Sequence, residues 1–497
     1  MQFAYLDRMF LVALLFILYT SLSYVAVRRL AARLTDWVPR TGPDMTTVVA
    51  ENTLIGRSAR SLARAVKTGE LTATELAEAY LARIAVVEPD IRAFAQLDRQ
   101  FVLEQARAAD ALRAAGAPLG PLHGLPVGVK DIIDTADLPT EFGTPLHRGR
   151  RPSADALIVG RLRAAGAIVL GKTVTTEFAV YAPGPTRNPR DLARSPGGSS
   201  SGSAAAVAAN MAPLAIATQT NGSIVRPASF CGVVGFKPTI GLLPRTGILK
   251  HSPLLDQPGV MAANVADAAL LAEALAGRDP NDRLSWVASP PRLVDAATQN
   301  AARPRLASMR GLYWERADPD ARKAFDRFVD GLADGVTTIA VPPEMEQAAE
   351  VHRTIMEADI AKSLRADYER GRDQMSGILR GIIERGLATS DEAYLAASGR
   401  RVWLIDGFME LFEQFDALVT LSATGSAPAA NDSTGDPIMA TTWSLLGAPA
   451  ISLPLLAGAD GMPIGIQLVG RPSEDNRLLA AAAWCEHQHA RQRERAA

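Results

Sequence analysis

Short, nearly unbroken apolar runs recur along the chain: LPVGVK at 125–130, AIVL at 167–170, PLAIAT at 213–218, VVGF at 233–236, ALVTL at 417–421, AISLPLL at 450–456 and IGIQLVG at 464–470. Runs of this length, rich in Val, Ile and Leu, read as strands buried on both faces. Many are separated by stretches with helical spacing. In LTATELAEAYLARIAVVEP, Thr72 and Glu75 form a T-x-x-E capping box, Leu76, Tyr80, Ile84 and Val87 share one face, and Pro89 is expected to end the helix. Strands alternating with helices predict an α/β fold around a mostly buried sheet. Strand-like runs lie both before residue 240 and after residue 416, with a polar helical insert of about 285–412 between them. One large domain whose sheet draws on both ends of the chain is therefore expected.

The N-terminus follows another pattern. Met9–Val27, MFLVALLFILYTSLSYVAV, is 19 residues without a charge, bounded by Arg8 and Arg28. That length spans a bilayer, so 1–31 is read as a hydrophobic helical segment and a candidate membrane anchor. A cleaved signal peptide and an interfacial helix are the alternatives; Asp7 beside Arg8, and the lack of a small-x-small site before Arg28, weigh against the signal peptide. Arg28, Arg29 and Arg33 follow the span, which places the catalytic body on the cytoplasmic side of a membrane-associated protein. Pro39, Gly42 and Pro43 mark 32–51 as a linker into a body of 52–497.

Composition narrows the function. A chain of 497 residues, 48% hydrophobic, buries a large core. Its net charge of -1 provides no field that gathers nucleic acid, which is set aside as a primary partner. Two cysteines, Cys231 and Cys485, exclude a disulfide framework and a four-cysteine metal site.

Three stretches carry candidate chemistry. GAIVLGKT (166–173) fits the phosphate-loop pattern, but its four middle residues read as a buried strand where the pattern needs a loop, so ATP binding is rejected. SPGGSSSGSAAAVAANMA (195–212) has the composition of a flexible linker, yet it runs directly into an alanine-rich helix former. A Gly/Ser turn at a helix N-terminus orients hydroxyls or holds an anion. LPVGVKDIID (125–134) puts Lys130 at a strand end among Val127, Val129, Ile132 and Ile133. Either the lysine reaches solvent or pairs with Asp131 or Asp134, or burial lowers its pKa and leaves an amine able to take a proton.

Together these stretches resemble the amidase signature family of serine hydrolases. In that family a strand-end lysine precedes a Gly-Gly-Ser-Ser turn and then a Gly-Ser carrying the nucleophile, with the two serines 24 positions apart. Ser199 and Ser223 are separated by 24 positions here, and Lys130 stands 69 before Ser199. PASFCGVVGFKPT (227–239), GAPAISLP (447–454) and PIGIQLVG (463–470) are also similar, and the likeness extends over about 52–490. The resemblance implies a large mixed sheet covered by helices on both faces, with no cofactor and no metal.

It also implies a catalytic set. Ser223 would attack the acyl carbon, Ser199 would relay the proton, and neutral Lys130 would end the relay. Gly198–Ser199 would be a cis peptide. The backbone N–H groups of Thr220, Asn221, Gly222 and Ser223 would converge on the oxyanion. The sequence departs from the commoner pattern at Gln219, Asn221 and Ser201, which puts the charge and backbone freedom of the loop in question. Asn221-Gly-Ser is also a glycosylation sequon, read as unused because a glycan would block the site. The expected function is a stand-alone amidohydrolase acting on a small-molecule carboxamide, ester or carbamate, with homodimerisation left open. The alternative is the glutaminase subunit of a tRNA-dependent amidotransferase, against which 435–447 (GDPIMATTWSLLG) shows no recognised glutamine-binding pattern.

Overall fold

Apolar runs that alternate with amphipathic stretches can bury their backbone only by pairing with one another, and all seven expected runs meet in one sheet. The computed structural model describes residues 54–496 apart from 288, 290, 300–301, 311, 333–335 and 431–432, and the folded unit begins at Gly56. Its strands are β1 (Phe94–Gln96), β2 (Pro126–Lys130), β3 (Ile168–Thr173), β4 (Leu214–Gln219), β5 (Val234–Lys237), β6 (Gln257–Ala262), β7 (Leu306–Met309), β8 (Val336–Ile339), β9 (Ala417–Leu421), β10 (Ala450–Ala457) and β11 (Pro463–Val469). Among the described residues they form an 11-stranded sheet in the order β1-β3-β2-β4-β6-β5-β10-β11-β9-β7-β8. β2 pairs in parallel with both β3 and β4, whereas β4–β6 and β10–β11 are antiparallel, so the sheet is mixed.

Every residue of β2, β3, β4, β5, β6 and β9 is buried. Successive side chains on a strand point to opposite faces, so both faces of the sheet are covered there. The helix Ser201–Ala208 lies against β2, β3 and β4, and the helix Val225–Cys231 against β5, β10 and β11. The insert is not purely helical: β7 and β8 come from it and extend the sheet at one edge. The capping box forms as expected, with Thr72 Oγ1 accepting from Glu75 N and Glu75 Oε2 accepting from Thr72 N. Pro89 does not end that helix, which continues to Ile91 before Arg92 turns left-handed at φ +56°.

The expected membrane association is corrected. Among the described residues no helix is long and apolar enough to cross a membrane. The long helices Asp391–Glu410 and Asp475–Ala496 carry charged residues at close intervals, which a bilayer does not accept. The expected span Met9–Val27 and the linker 32–51 lie outside the described residues.

Candidate active site

Parallel pairing sets Val127 opposite Leu214 and Val129 opposite Ile216, so β2 and β4 end side by side. Lys130 closes β2 and Gln219 closes β4, and the loop 220–223 therefore leaves the sheet beside the lysine. Such crevices beyond the carboxyl ends of parallel strands are where open α/β sheets place their sites.

Lys130 is fully buried, and its Nζ lies 2.7 Å from Ser199 Oγ, 2.8 Å from Thr218 Oγ1 and 3.4 Å from the Thr218 carbonyl. The acids weighed as its partners are engaged elsewhere. Asp131 pairs with Lys172 at 3.0 Å and Asp134 with Arg150 at 2.7 Å. Lys172 is the lysine of the rejected phosphate-loop pattern, and it lies inside β3 as the strand reading requires. Burial pushes Lys130 well below the ordinary lysine pKa, with the charge of Asp256 opposing. The amine is thereby biased toward its neutral form.

Ser199 arrives from the turn before the helix Ser201–Ala208. Gly197 there has φ +82°, and the Gly198–Ser199 peptide is cis, as the resemblance implied. Arg226 holds the turn: its Nη2 donates to the Gly198 carbonyl at 2.6 Å and its Nη1 donates to the Gly435 carbonyl. Burial brings Arg226 down to about 10, which leaves it cationic at neutral pH. The Ser201 hydroxyl donates back to the Gly197 carbonyl at 2.8 Å, so serine at this position closes the turn on itself. Gly202 has no room for a side chain, because a Cβ would stand 2.2 Å from the Ala93 carbonyl oxygen.

The loop 220–223 is fastened from several sides. Gln219 Oε1 accepts from the backbone N–H of Ile224 at 2.8 Å and of Val225 at 3.1 Å, which fixes its amide orientation and caps the helix Val225–Cys231. Its Nε2 donates to Ser444 Oγ at 2.9 Å, and Ser444 Oγ donates to the Asn221 carbonyl. Asn221 Nδ2 donates to Tyr181 Oη at 2.9 Å, and Asn221 Oδ1 accepts from Thr441 Oγ1 at 2.7 Å. Neither Asn221 nor Gly222 adopts positive φ, so asparagine carries no backbone penalty there. Its side chain is buried within these bonds, which leaves no place for a glycan.

His352 Nε2 lies 3.0 Å from the Thr220 carbonyl, and burial pushes this imidazole down to about 4, so it is neutral and donates. Among the described residues no acceptor meets the backbone N–H groups of 220–223, and no histidine bonds to Ser199 or Ser223. The geometry thus joins Lys130 directly to Ser199 and ties the lysine to β4 through Thr218. Ser223 follows on the next loop with no hydrogen bond of its own to a described residue.

A cavity of about 540 Å³ opens beside Asn221, walled by Tyr181, His352, Met356, Ile438 and Thr441. A second, of about 530 Å³, is lined by Thr218, Thr220, His251 and Asp256. Thr218, Tyr181, Arg226, Asp256, His352, Thr441 and Ser444 were not foreseen from the sequence. Tyr181, His352 and Thr441 come from segments distant from the loop 220–223 in sequence.

The family model Amidase matches residues 75–479. The chain belongs to the amidase family. It is 38% identical to the glutamyl-tRNA(Gln) amidotransferase A subunit of Salinispora arenicola over 478 residues, which cover 87% of this chain and 97% of that protein. The corresponding protein of Acidothermus cellulolyticus is 37% identical, with 87% and 94% covered. Among solved structures, the peptide amidase of Stenotrophomonas maltophilia superposes with a TM-score of 0.77 at 31% identity, covering 88% of this chain and 98% of that one. A 6-aminohexanoate cyclic dimer hydrolase reaches a TM-score of 0.79 at 27% identity, with 88% and 98% covered. A vestigial complex linked to the origins of an s-triazine catabolic enzyme reaches 0.82 at 30% identity, with 87% and 98% covered. Matches of this extent to amidotransferase subunits overturn the expected membrane-anchored localisation. They lend no support to the expected membrane contact, nor to a small-molecule substrate as the sole partner beside a homodimer.

Proposed function

We propose that this amidase cleaves a carboxamide through an acyl-enzyme on Ser223, with Ser199 and Lys130 as the proton relay. The observation that carries the reading is the 2.7 Å contact between Ser199 and a lysine that has no ion-pair partner among the described residues and is buried where its charge is disfavoured. Ser223 Oγ attacks the acyl carbon while its proton passes to Ser199, whose own proton moves to Lys130 Nζ. The carbonyl oxygen gains the negative charge, and the unpaired N–H groups of 220–223 receive it. Collapse breaks the C–N bond, the relay returns the proton to the leaving amine, and water then hydrolyses the ester by the same route. The Ser223–Ser199 link is the hydrogen bond that tightens when substrate binds.

The names of the curated relatives favour the amidotransferase A subunit over a stand-alone amidase as the setting for this chemistry. On that reading the amide is the side chain of glutamine and ammonia is the product. Ammonia release by the purified chain from L-glutamine, an amidated dipeptide and an aryl amide decides between them. Release from glutamine supports the amidotransferase reading; turnover of the other amides with glutamine inert returns the chain to the stand-alone class.

A further inference from the structure

Asp256 joins two parts of the site that otherwise lie on separate segments. Its Oδ1 accepts from the Thr220 hydroxyl at 2.8 Å, while Oδ2 accepts from the backbone N–H groups of His251 at 2.8 Å and Ser252 at 3.0 Å. One carboxylate thus fastens the loop that carries the four unpaired N–H groups to the turn leading into β6. Asp256 also lines the 530 Å³ cavity with Thr218, the residue that bonds Lys130.

We infer that Asp256 is a positioning residue for the reaction, holding the oxyanion loop through Thr220 and setting the electrostatic environment of Lys130. The inference rests on the Ser223–Ser199–Lys130 reading. Hydrogen bonds to an ionised carboxylate are stronger than neutral ones, so this tether resists displacement when charge develops on the substrate oxygen. The negative charge also favours the lysine's ammonium, against the burial that disfavours it. Other charges near the cavity are arranged differently. Arg245 is paired with Asp282 at 2.5 Å, Lys250 and Arg283 line the wall, and burial keeps His251 below the ordinary histidine value. Lys172 on β3 and Asp131, the residue that follows Lys130, neutralise each other.

The test is the rate at which an alkyl fluorophosphonate inactivates the full chain between about pH 5 and pH 10. Asp256→Asn removes a charge that favours the ammonium, so neutral lysine appears at lower pH and the acid limb should move down by about one pH unit. Thr220→Val removes the tether but leaves the charge; it should react roughly tenfold more slowly with the limb in place, and Thr220→Ser should restore the rate. A folded Asp256→Asn with the wild-type limb, or Thr220→Val at the wild-type rate, overturns the inference. If Asp256→Asn does not fold, Asp256→Glu must slow the reaction without moving the limb, and a displaced limb there overturns it. Wild-type protein modified elsewhere than Ser223 would overturn the relay reading instead.

Discussion

Replacing Lys130 with methionine separates a working amine from a structural one. The side chains are similar in volume, so the change removes the nitrogen without opening a large cavity. It deletes the contacts with Ser199 at 2.7 Å and Thr218 at 2.8 Å. Two hydroxyls lose a partner, at about 1 kcal/mol each, while the cost of burying the amine disappears. Those effects oppose each other, so the melting temperature should stay within about 3 °C of wild type. Turnover should not stay close. A positioned base contributes roughly 10²-fold to 10⁴-fold, or about 3–5 kcal/mol of barrier, and that loss should appear in kcat. Lys130→Arg should fare no better, because guanidinium cannot give up its proton at working pH. In the wild-type protein the rate should rise with pH along a limb below the usual lysine range, since burial depresses Lys130 and only the neutral amine takes a proton. Calorimetry beside a pH-rate profile for Lys130→Met, His123→Ala, His251→Ala and His352→Ala provides the comparison. The reasoning is refuted if Lys130→Met keeps near wild-type turnover, or if a folded histidine variant loses as much.

Three further outcomes follow from the packing. Gly202→Ala places a methyl 2.2 Å from the Ala93 carbonyl oxygen and 2.4 Å from Val174 N, so urea unfolding should show a loss of at least about 3 kcal/mol. Glu486, held up to about 7 by burial, keeps its proton in the folded state after the unfolded chain has released it. Wild-type stability therefore falls as pH rises toward 7, and Glu486→Gln should melt higher at about pH 8 with the gap closed near about pH 4. Asn221→Gly removes the bridge between Tyr181 and Thr441 at the 540 Å³ cavity, so kcat/KM for a hexanoyl relative to an acetyl anilide should rise about tenfold; an unchanged ratio would show that the bridge does not limit acyl size.

The central strands were legible because parallel and doubly covered strands read as continuous apolar runs, as in β2, β4 and β9. β6 was not, since QPGVMA interrupts its run with proline and glycine, and β1 is only three residues long. β7 and β8 were hidden in a polar insert: Val336–Ile339 is exposed at its two central threonines and carries no apolar run. Within the site, the resemblance to the amidase signature pattern singled out Lys130, Ser199 and Ser223, because the strand-end lysine, the Gly/Ser turn and the Asn-Gly-Ser stretch that carry it are local motifs. The supporting groups were not legible. Asp256 reaches Thr220 across 36 residues and Ser444 reaches Asn221 across 223, and no local pattern encodes such contacts. Gln219 was noted as a departure, but its role as a cap on two N–H groups became visible only in three dimensions.

The account stands or falls on which oxygen becomes acylated. A fluorophosphonate adduct mapped by mass spectrometry tests this in wild type, Ser199→Ala and Ser223→Ala, whatever the natural substrate is. The adduct should sit on Ser223 in wild type, form slowly on the same residue in Ser199→Ala, and be absent from Ser223→Ala together with all turnover. An adduct on Ser199 or Ser200, or turnover that survives Ser223→Ala, would contradict the assignment.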